Sequence, residues 1–308
     1  MHHHLRKNGK SGKTGRNTYR IGFLLGMGGM FSLIWIVLFC HYLFLHPYVR
    51  YLDSSYIETD VFRAMDFGES GLEELEAFSK QYKVPLEEAV TVCMILNGYQ
   101  LPKSAVKALS LPEYIQKREY FRQISSADFQ KLENAYKTVL GDLQAFPVPE
   151  HTDPEVTFVG YENSWKDART YGGERFHEGC DIMGMAYERG FYPVCSISGG
   201  VVEQKGWLEQ GGWRIGVRSD NGAYFYYAHL YSYADRTEVG DRILPGQLLG
   251  WMGDTGYSPR EGTVGNFPVH LHLGIYMQTD HYEEMSVNPY YILKYLEKNK
   301  LRRAVYGF

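Results

Sequence analysis

The residues best suited to chemistry lie in two short motifs, His177-Glu-Gly-Cys-Asp181 and His270-Leu-His272. Together they offer three imidazoles and a carboxylate, the nitrogen and oxygen donors that zinc takes. Residues i and i+2 of an extended strand share a face, so His270 and His272 point the same way. Two imidazoles and the carboxylate would hold an ion and leave its fourth position to water. That is the arrangement of a catalytic zinc site, since a structural site closes all four positions. The third imidazole would stand beside the metal. The pattern points to a hydrolytic enzyme.

The flanking residues say which elements must position these groups. Val269-His-Leu-His-Leu-Gly-Ile-Tyr276 opens with the alternation of a half-buried strand, with the imidazoles on the polar face and Val269, Leu271 and Leu273 toward a core. His177-Glu178 could instead open the helical His-Glu-x-x-His motif of other zinc proteases. The fifth residue here is Asp181, and Gly179 weakens a helix in mid-motif. A strand is therefore expected, with His177 and Asp181 on one face, and Glu178 is not expected to be the general base.

In this order of motifs the chain resembles the lysostaphin-type zinc endopeptidases of metallopeptidase family twenty-three, which cut peptidoglycan cross-bridges. The resemblance runs from about Pro149 to Leu296. Arg169-Thr-Tyr-Gly-Gly173 precedes His-x-Gly-x-Asp. Pro193-Val-Cys-Ser-Ile-Ser-Gly-Gly-Val-Val202 is similar to the strand pair behind the site, and Tyr227-Ala-His-Leu230 to the segment with an isolated catalytic His. Val239–Gly250 and Gly253-Asp-Thr-Gly-Tyr257 resemble the turns leading into His-x-His. The resemblance implies one Zn2+ held by His177, Asp181 and His272. It implies His270 as general base or acid and His229 as its partner near the developing oxyanion. Spacing alone does not single out His229. The chain departs from the family in the Ser258–Pro268 stretch, which replaces a shorter link and is expected to rim the groove. Cys180 beside a ligand is also unusual.

The ends of the chain differ sharply in character. Arg6, Lys7, Lys10, Lys13, Arg16 and Arg20 are basic, with no acid among the first twenty residues, and Ile21–Leu45 then holds no Asp, Glu, Lys or Arg. At about 1.5 Å per residue such a helix spans about 37 Å, against a hydrocarbon core of about 30 Å. No small-x-small cleavage site follows it, so an uncleaved anchor is expected rather than a signal peptide. The basic flank places the N-terminus in the cytoplasm and the bulk of the chain outside. Setting aside those six positive charges takes the formal net charge from −4 to −10 for the remainder, which argues against a nucleic-acid partner.

Between Tyr51 and Leu143 the pattern is helical. Ser70 and Glu73 have capping-box spacing before Leu72, Leu75, Phe78 and Tyr82. Pro85 can start a second helix that stops near Gly98, and Phe129, Leu132, Tyr136, Val139, Leu140 and Leu143 form a third stripe. Phe146 to Pro154, rich in proline, marks a boundary. The expected organisation is α+β. A basic cytoplasmic tail (1–20) precedes a transmembrane helix (21–45) and a helical extracytoplasmic region (46–145). A mainly antiparallel-β zinc peptidase domain (146–300) and a short tail (301–308) follow.

Cys180 and Cys195 fall in strands outside the cell, where a disulfide is sterically possible. Alternation turns Cys180 away from the zinc ligands. The expected function is a membrane-anchored zinc endopeptidase acting on peptide cross-links of bacterial peptidoglycan. The alternatives are a non-catalytic wall-binding or channel module of the same fold, and a zinc amidase or carboxypeptidase.

Overall fold

The uncharged run forms part of one long helix, α1 (Thr14–Leu45). Its Met27–Leu45 window has a mean hydropathy of 1.9 and none of it is buried, so it is long and apolar enough to cross a membrane. The structure is a computed structural model and describes residues 14–150, 159–184, 188–235 and 237–302. The first thirteen residues of the expected basic tail lie outside the described residues. So do the end of the proline-rich boundary, from residue 151, and the C-terminal tail from residue 303.

From Tyr51 onward the chain forms one compact unit. Its helical part contains α2 (Asp60–Arg63), α3 (Gly71–Tyr82), α4 (Leu86–Leu96), α5 (Ala105–Ala108) and α6 (Leu111–Leu140). The apolar stripes of the sequence become its core: Leu72, Leu75, Phe78, Ala89, Val90, Phe129, Leu132, Tyr136 and Val139 are buried. The expected capping box does not form. Ser70 makes no cap bond to the backbone, and its hydroxyl instead donates to Glu74 at 2.9 Å. Pro85 stands just before α4 as its N-cap, and Gly98 follows the helix in the left-handed region at φ 63°.

Helix α6 breaks at Ser125 (φ −151°, ψ 94°). The break is used: Asp128 accepts hydrogen bonds from the Ser125 hydroxyl (2.6 Å) and from the Ser54 hydroxyl (2.7 Å). Before the break, the buried carboxylate of Glu88 on α4 takes Arg118 (3.2 Å), Arg122 (2.6 Å) and the Tyr114 hydroxyl, all from α6. Buried carboxylates are retained when paired in this way.

The β part begins with β1 (Val159–Tyr161), β2 (Ala168–Arg169), β3 (Arg175–Phe176) and β4 (Gly179–Gly184). Then come β5 (Pro193–Cys195), β6 (Gly200–Leu208), β7 (Gly212–Arg218) and β8 (Tyr224–Tyr233). Last are β9 (Arg242–Ile243), β10 (Leu248–Met252), β11 (His270–Met277), β12 (Met285–Val287) and helix α7 (Tyr290–Leu296). The main sheet runs β1-β4-β11-β8-β7-β6-β9, with β12 also on β11 and β10 joining β8 to β5; β2 and β3 pair separately. Every ladder in it is antiparallel. The mainly antiparallel-β domain preceded by helices matches the expected fold class.

The segment after α6 packs onto this sheet rather than leaving it. Gln144 and Ala145 both donate to the Ile197 carbonyl at 3.0 Å, and Phe146 and Val148 are buried.

Candidate metal centre and groove

Strands β4 and β11 bring the two motifs together. In their ladder His272 stands directly opposite Asp181, and His270 stands opposite Met183 two positions on. Directly opposed residues of an antiparallel pair share a face. His177 does not belong to a strand, contrary to expectation: it lies between β3 and β4. Its imidazole still reaches the same point. His177 Nε2 is 2.8 Å from His272 Nδ1 and 3.0 Å from Asp181 Oδ1, and His272 Nδ1 is 3.0 Å from Asp181 Oδ1.

That triangle fits a cation. His177 Nδ1 lies 2.9 Å from the Ser164 carbonyl, which can only accept, so Nδ1 carries the proton and Nε2 presents a lone pair. Two imidazole nitrogens and a carboxylate oxygen therefore converge with at most one proton among them when both rings are neutral. A tetrahedral zinc with ligands at about 2.0–2.1 Å separates them by about 3.3 Å, close to what is seen. His177, Asp181 and His272 also form the metal-competent group among the described residues. Gly179 is required beside it, because a Cβ there would lie 2.6 Å from His272 Cε1 and 2.4 Å from the Leu273 carbonyl oxygen.

The electrostatics agree. Burial would raise the Asp181 carboxyl, but hydrogen bonding to His177 and His272 and the charges of the neighbouring imidazoles outweigh it. The carboxyl is held far below the ordinary carboxylate range. Its second oxygen accepts from Arg169 Nη2 at 2.9 Å. Burial pushes His272 down, against its contact with Asp181.

Two further imidazoles face the triangle. His270 Nδ1 lies 2.7 Å from the Pro268 carbonyl and His229 Nδ1 lies 2.8 Å from that of Thr255. Each Nδ1 is thereby protonated in the neutral ring, leaving Nε2 as the free base. His270 Nε2 is 3.7 Å from Asp181 Oδ1, and the His229 and His270 rings are 4.7 Å apart. Strand alternation would turn His229 into the core with Tyr227. A left-handed backbone at His229 (φ 62°), in a strand whose register shifts on both sides, breaks the alternation and sets the ring in the groove. Burial, and then the nearby His270 and His272, lower the His229 pKa well below 6.5.

An open groove of about 590 Å³ runs over these groups, lined also by Arg175, Arg214, Tyr224, Tyr226, Tyr257 and Tyr276. Glu178 is exposed at its edge, apart from the triangle. The Ser258–Pro268 loop runs between two groove-lining residues, Tyr257 and His270. It contributes Phe267, whose ring packs 4.5 Å from His229 and 5.2 Å from His270, and its Gly265 N–H is held by Asp254 at 2.9 Å. Cys180 turns away, donating to the Glu162 carbonyl at 3.2 Å, and both it and Cys195 are free thiols.

Residues 175–289 match the model of peptidase family M23. The crystal structure of a putative glycyl-glycine endopeptidase, lytM, from Ruminococcus gnavus superposes with a TM-score of 0.68 and 37% identity, covering 82% of this chain and 98% of that one. The chain belongs to peptidase family M23. Within that family of peptidoglycan hydrolases it is homologous to the L-Ala–D-Glu endopeptidase of Bacillus subtilis, 42% identical over 178 residues. That match takes in 58% of this chain and 51% of the relative, so the chain spans about half the length of that M23 protein. Lysostaphin of Staphylococcus simulans is 39% identical over 82 residues, 24% of this chain and 16% of lysostaphin. The M23 match begins at residue 175, after Ser164 and Arg169, two groups that touch the centre and that the sequence motifs did not single out as functional. A backbone carbonyl leaves no signal in sequence, whereas Arg169 stood in a recognisable Arg-Thr-Tyr-Gly-Gly run.

Proposed function

We propose that this protein is a membrane-anchored zinc endopeptidase that hydrolyses peptide bonds of bacterial peptidoglycan. The observation that carries the reading is the triangle of His177 Nε2, Asp181 Oδ1 and His272 Nδ1, with edges of 2.8–3.0 Å, beside two imidazoles that each present an unprotonated Nε2. A zinc ion held by those three atoms supplies Lewis acidity for a peptide carbonyl and for water.

In this reading the chain's own residues handle the proton and the substrate. His270 Nε2 accepts a proton from the attacking water and returns it to the leaving amine. His229, kept neutral by burial, stands beside His270 on the side of the developing oxyanion and helps fix the position of that ring. Arg169 holds the Asp181 carboxylate in place, and the tyrosines of the groove accommodate an extended peptide. A non-catalytic wall-binding or channel module is disfavoured because the chain has all five of these histidine and aspartate groups and they converge.

Two classes of bond are candidates. The expected target was a cross-link, as in lysostaphin. The relatives divide between two bonds: the B. subtilis protein, 42% identical over 178 residues, is named for the L-Ala–D-Glu bond, while the R. gnavus structure, which covers 82% of this chain, is named for the glycyl-glycine bond. Digestion of purified peptidoglycan with zinc-loaded protein tests this: a new D-Glu amino end supports the stem bond, and an opened bridge the cross-link. Loss of a terminal residue, or of the whole peptide from its sugar, would overturn the endopeptidase reading.

For topology, the uncharged Ile21–Leu45 run of α1 and the basic residues before that run support a single-pass anchor with the N-terminus inside and the enzyme outside. The organisation into a 1–20 tail, a 21–45 anchor, a 46–145 helical region, a 146–300 peptidase domain and a 301–308 tail is part of this proposal. No nucleic-acid partner is proposed.

A further inference from the structure

His177, between β3 and β4, is held by the loop Asn163–Asp167. The Ser164 carbonyl accepts its Nδ1–H (2.9 Å), the Asp167 carbonyl accepts its backbone N–H (2.8 Å), and its own carbonyl accepts the Lys166 N–H (2.7 Å). Wherever this loop moves, the direction of His177 Nε2 moves with it. Lys166 adopts the left-handed region at φ 69°, so the loop needs outside support to keep its shape.

That support comes from α2, a single helical turn in the region that precedes the peptidase fold. Arg63 lies 5.3 Å over the Trp165 ring, and its Nε and Nη2 donate to the Ser286 carbonyl (2.8 Å) and hydroxyl (2.9 Å). The same Ser286 hydroxyl takes the Trp165 indole N–H at 3.4 Å. The Arg63 carbonyl accepts the Asn288 N–H (2.8 Å), and the Asn288 side chain reaches Asn163 at 2.9 Å. Asp60, one turn back, pairs with the Lys166 ammonium. Phe62, fully buried between them, fixes the turn to the helical core through Tyr136 and Tyr99, with ring centroids 4.7 and 5.5 Å away.

We propose that α2 is a positioning element of the metal centre: Asp60 and Arg63 hold the Asn163–Asp167 loop, and through it set the orientation of the zinc ligand His177. The inference rests on the zinc reading above. It gives the helical region, whose stripes carry no chemistry of their own, a defined part in the site. Partners that orient a ligating histidine typically matter by 10–100-fold in metal affinity. Here the chain of contacts extends one residue further out, so about tenfold is expected.

The test compares the full chain with Arg63→Ala, Arg63→Lys, Asp60→Asn and, as a control, Lys131→Ala. Lys131 also bridges the helical region to the β part, through Asp280 at 2.6 Å, but does not touch the loop. Zinc affinity is read by chelator competition. The His177 Nδ1–H is read separately by NMR of nitrogen-labelled histidine in the metal-free protein. Arg63→Ala should weaken zinc about tenfold and expose the His177 proton to exchange, Asp60→Asn less so, with part of the loss restored by Arg63→Lys. Lys131→Ala should change neither. Equal zinc affinity and an undisturbed His177 proton in Arg63→Ala would overturn the proposal. Should Arg63→Ala fail to fold, Trp165→Phe keeps the ring, removes its hydrogen bond to Ser286 and must still expose the His177 proton. If the wild type binds no zinc while that proton responds to Arg63→Ala, the coupling stands and the zinc reading falls.

Discussion

Asp181 and His272 face one another directly across the β4–β11 ladder, with Oδ1 and Nδ1 3.0 Å apart. Their register fixes the centre, because a slip of one residue would turn either side chain to the core. Asp181→Ala or His272→Ala should therefore lose both zinc and activity. His270→Ala should keep zinc and lose about 10²–10⁴ in turnover, the usual contribution of a general base. Metal content and rate on folded protein decide between them. Full zinc loss in His270→Ala with none in His272→Ala would reverse the two roles.

Arg169 anchors the carboxylate oxygen that faces away from the other ligands. Arg169→Ala should weaken zinc by about 10–100-fold without unfolding the protein, and Arg169→Lys should recover part of it. Chelator competition beside thermal melting measures both effects.

Both motifs, the alternation of β11 and the helical stripes were legible in the sequence, because each depends on local periodicity. The inward turn of His229 was not. It depends on one left-handed residue in a strand whose register shifts against two neighbours. Nor was the support of His177 legible, since Ser164 acts through its backbone and Arg63 through contacts more than two hundred positions away. The resemblance rather than the spacing named His229.

Protonation should destabilise the metal-free fold. Burial holds the His229 and His272 imidazoles below the ordinary 6.5 in the folded state, so the unfolded chain binds more protons just below that pH. Stability then falls as pH drops through 6.5 toward the lowered folded values. Asp181, held far below its ordinary range, stays ionised there and adds no slope. Denaturant melts of the metal-free protein from neutral to mildly acid pH should show this decline, with a shallower slope in His229→Gln. An unchanged slope in that variant would remove His229 as its source.

Phe267 packs against both non-ligand imidazoles, His229 and His270. Phe267→Ala should thus lower turnover while leaving zinc content near that of the wild type. Loss of zinc would mean that the ring supports the ligands instead.

The orientation of α1 is open to a direct check. Protease added to wall-free cells should cleave from Tyr51 onward and spare the first twenty residues. A mature soluble protein lacking residues 1–45 would make the segment a cleaved signal.

The central claim is a zinc-dependent cut within a peptidoglycan peptide. It is tested most directly by end-group analysis of purified peptidoglycan digested by the wild-type chain, before and after chelation and zinc restoration, with Asp181→Ala alongside. A new internal amino end that vanishes on chelation, returns with zinc and never forms with Asp181→Ala is the expected result. Folded, zinc-loaded wild type that leaves every peptide bond intact would contradict it.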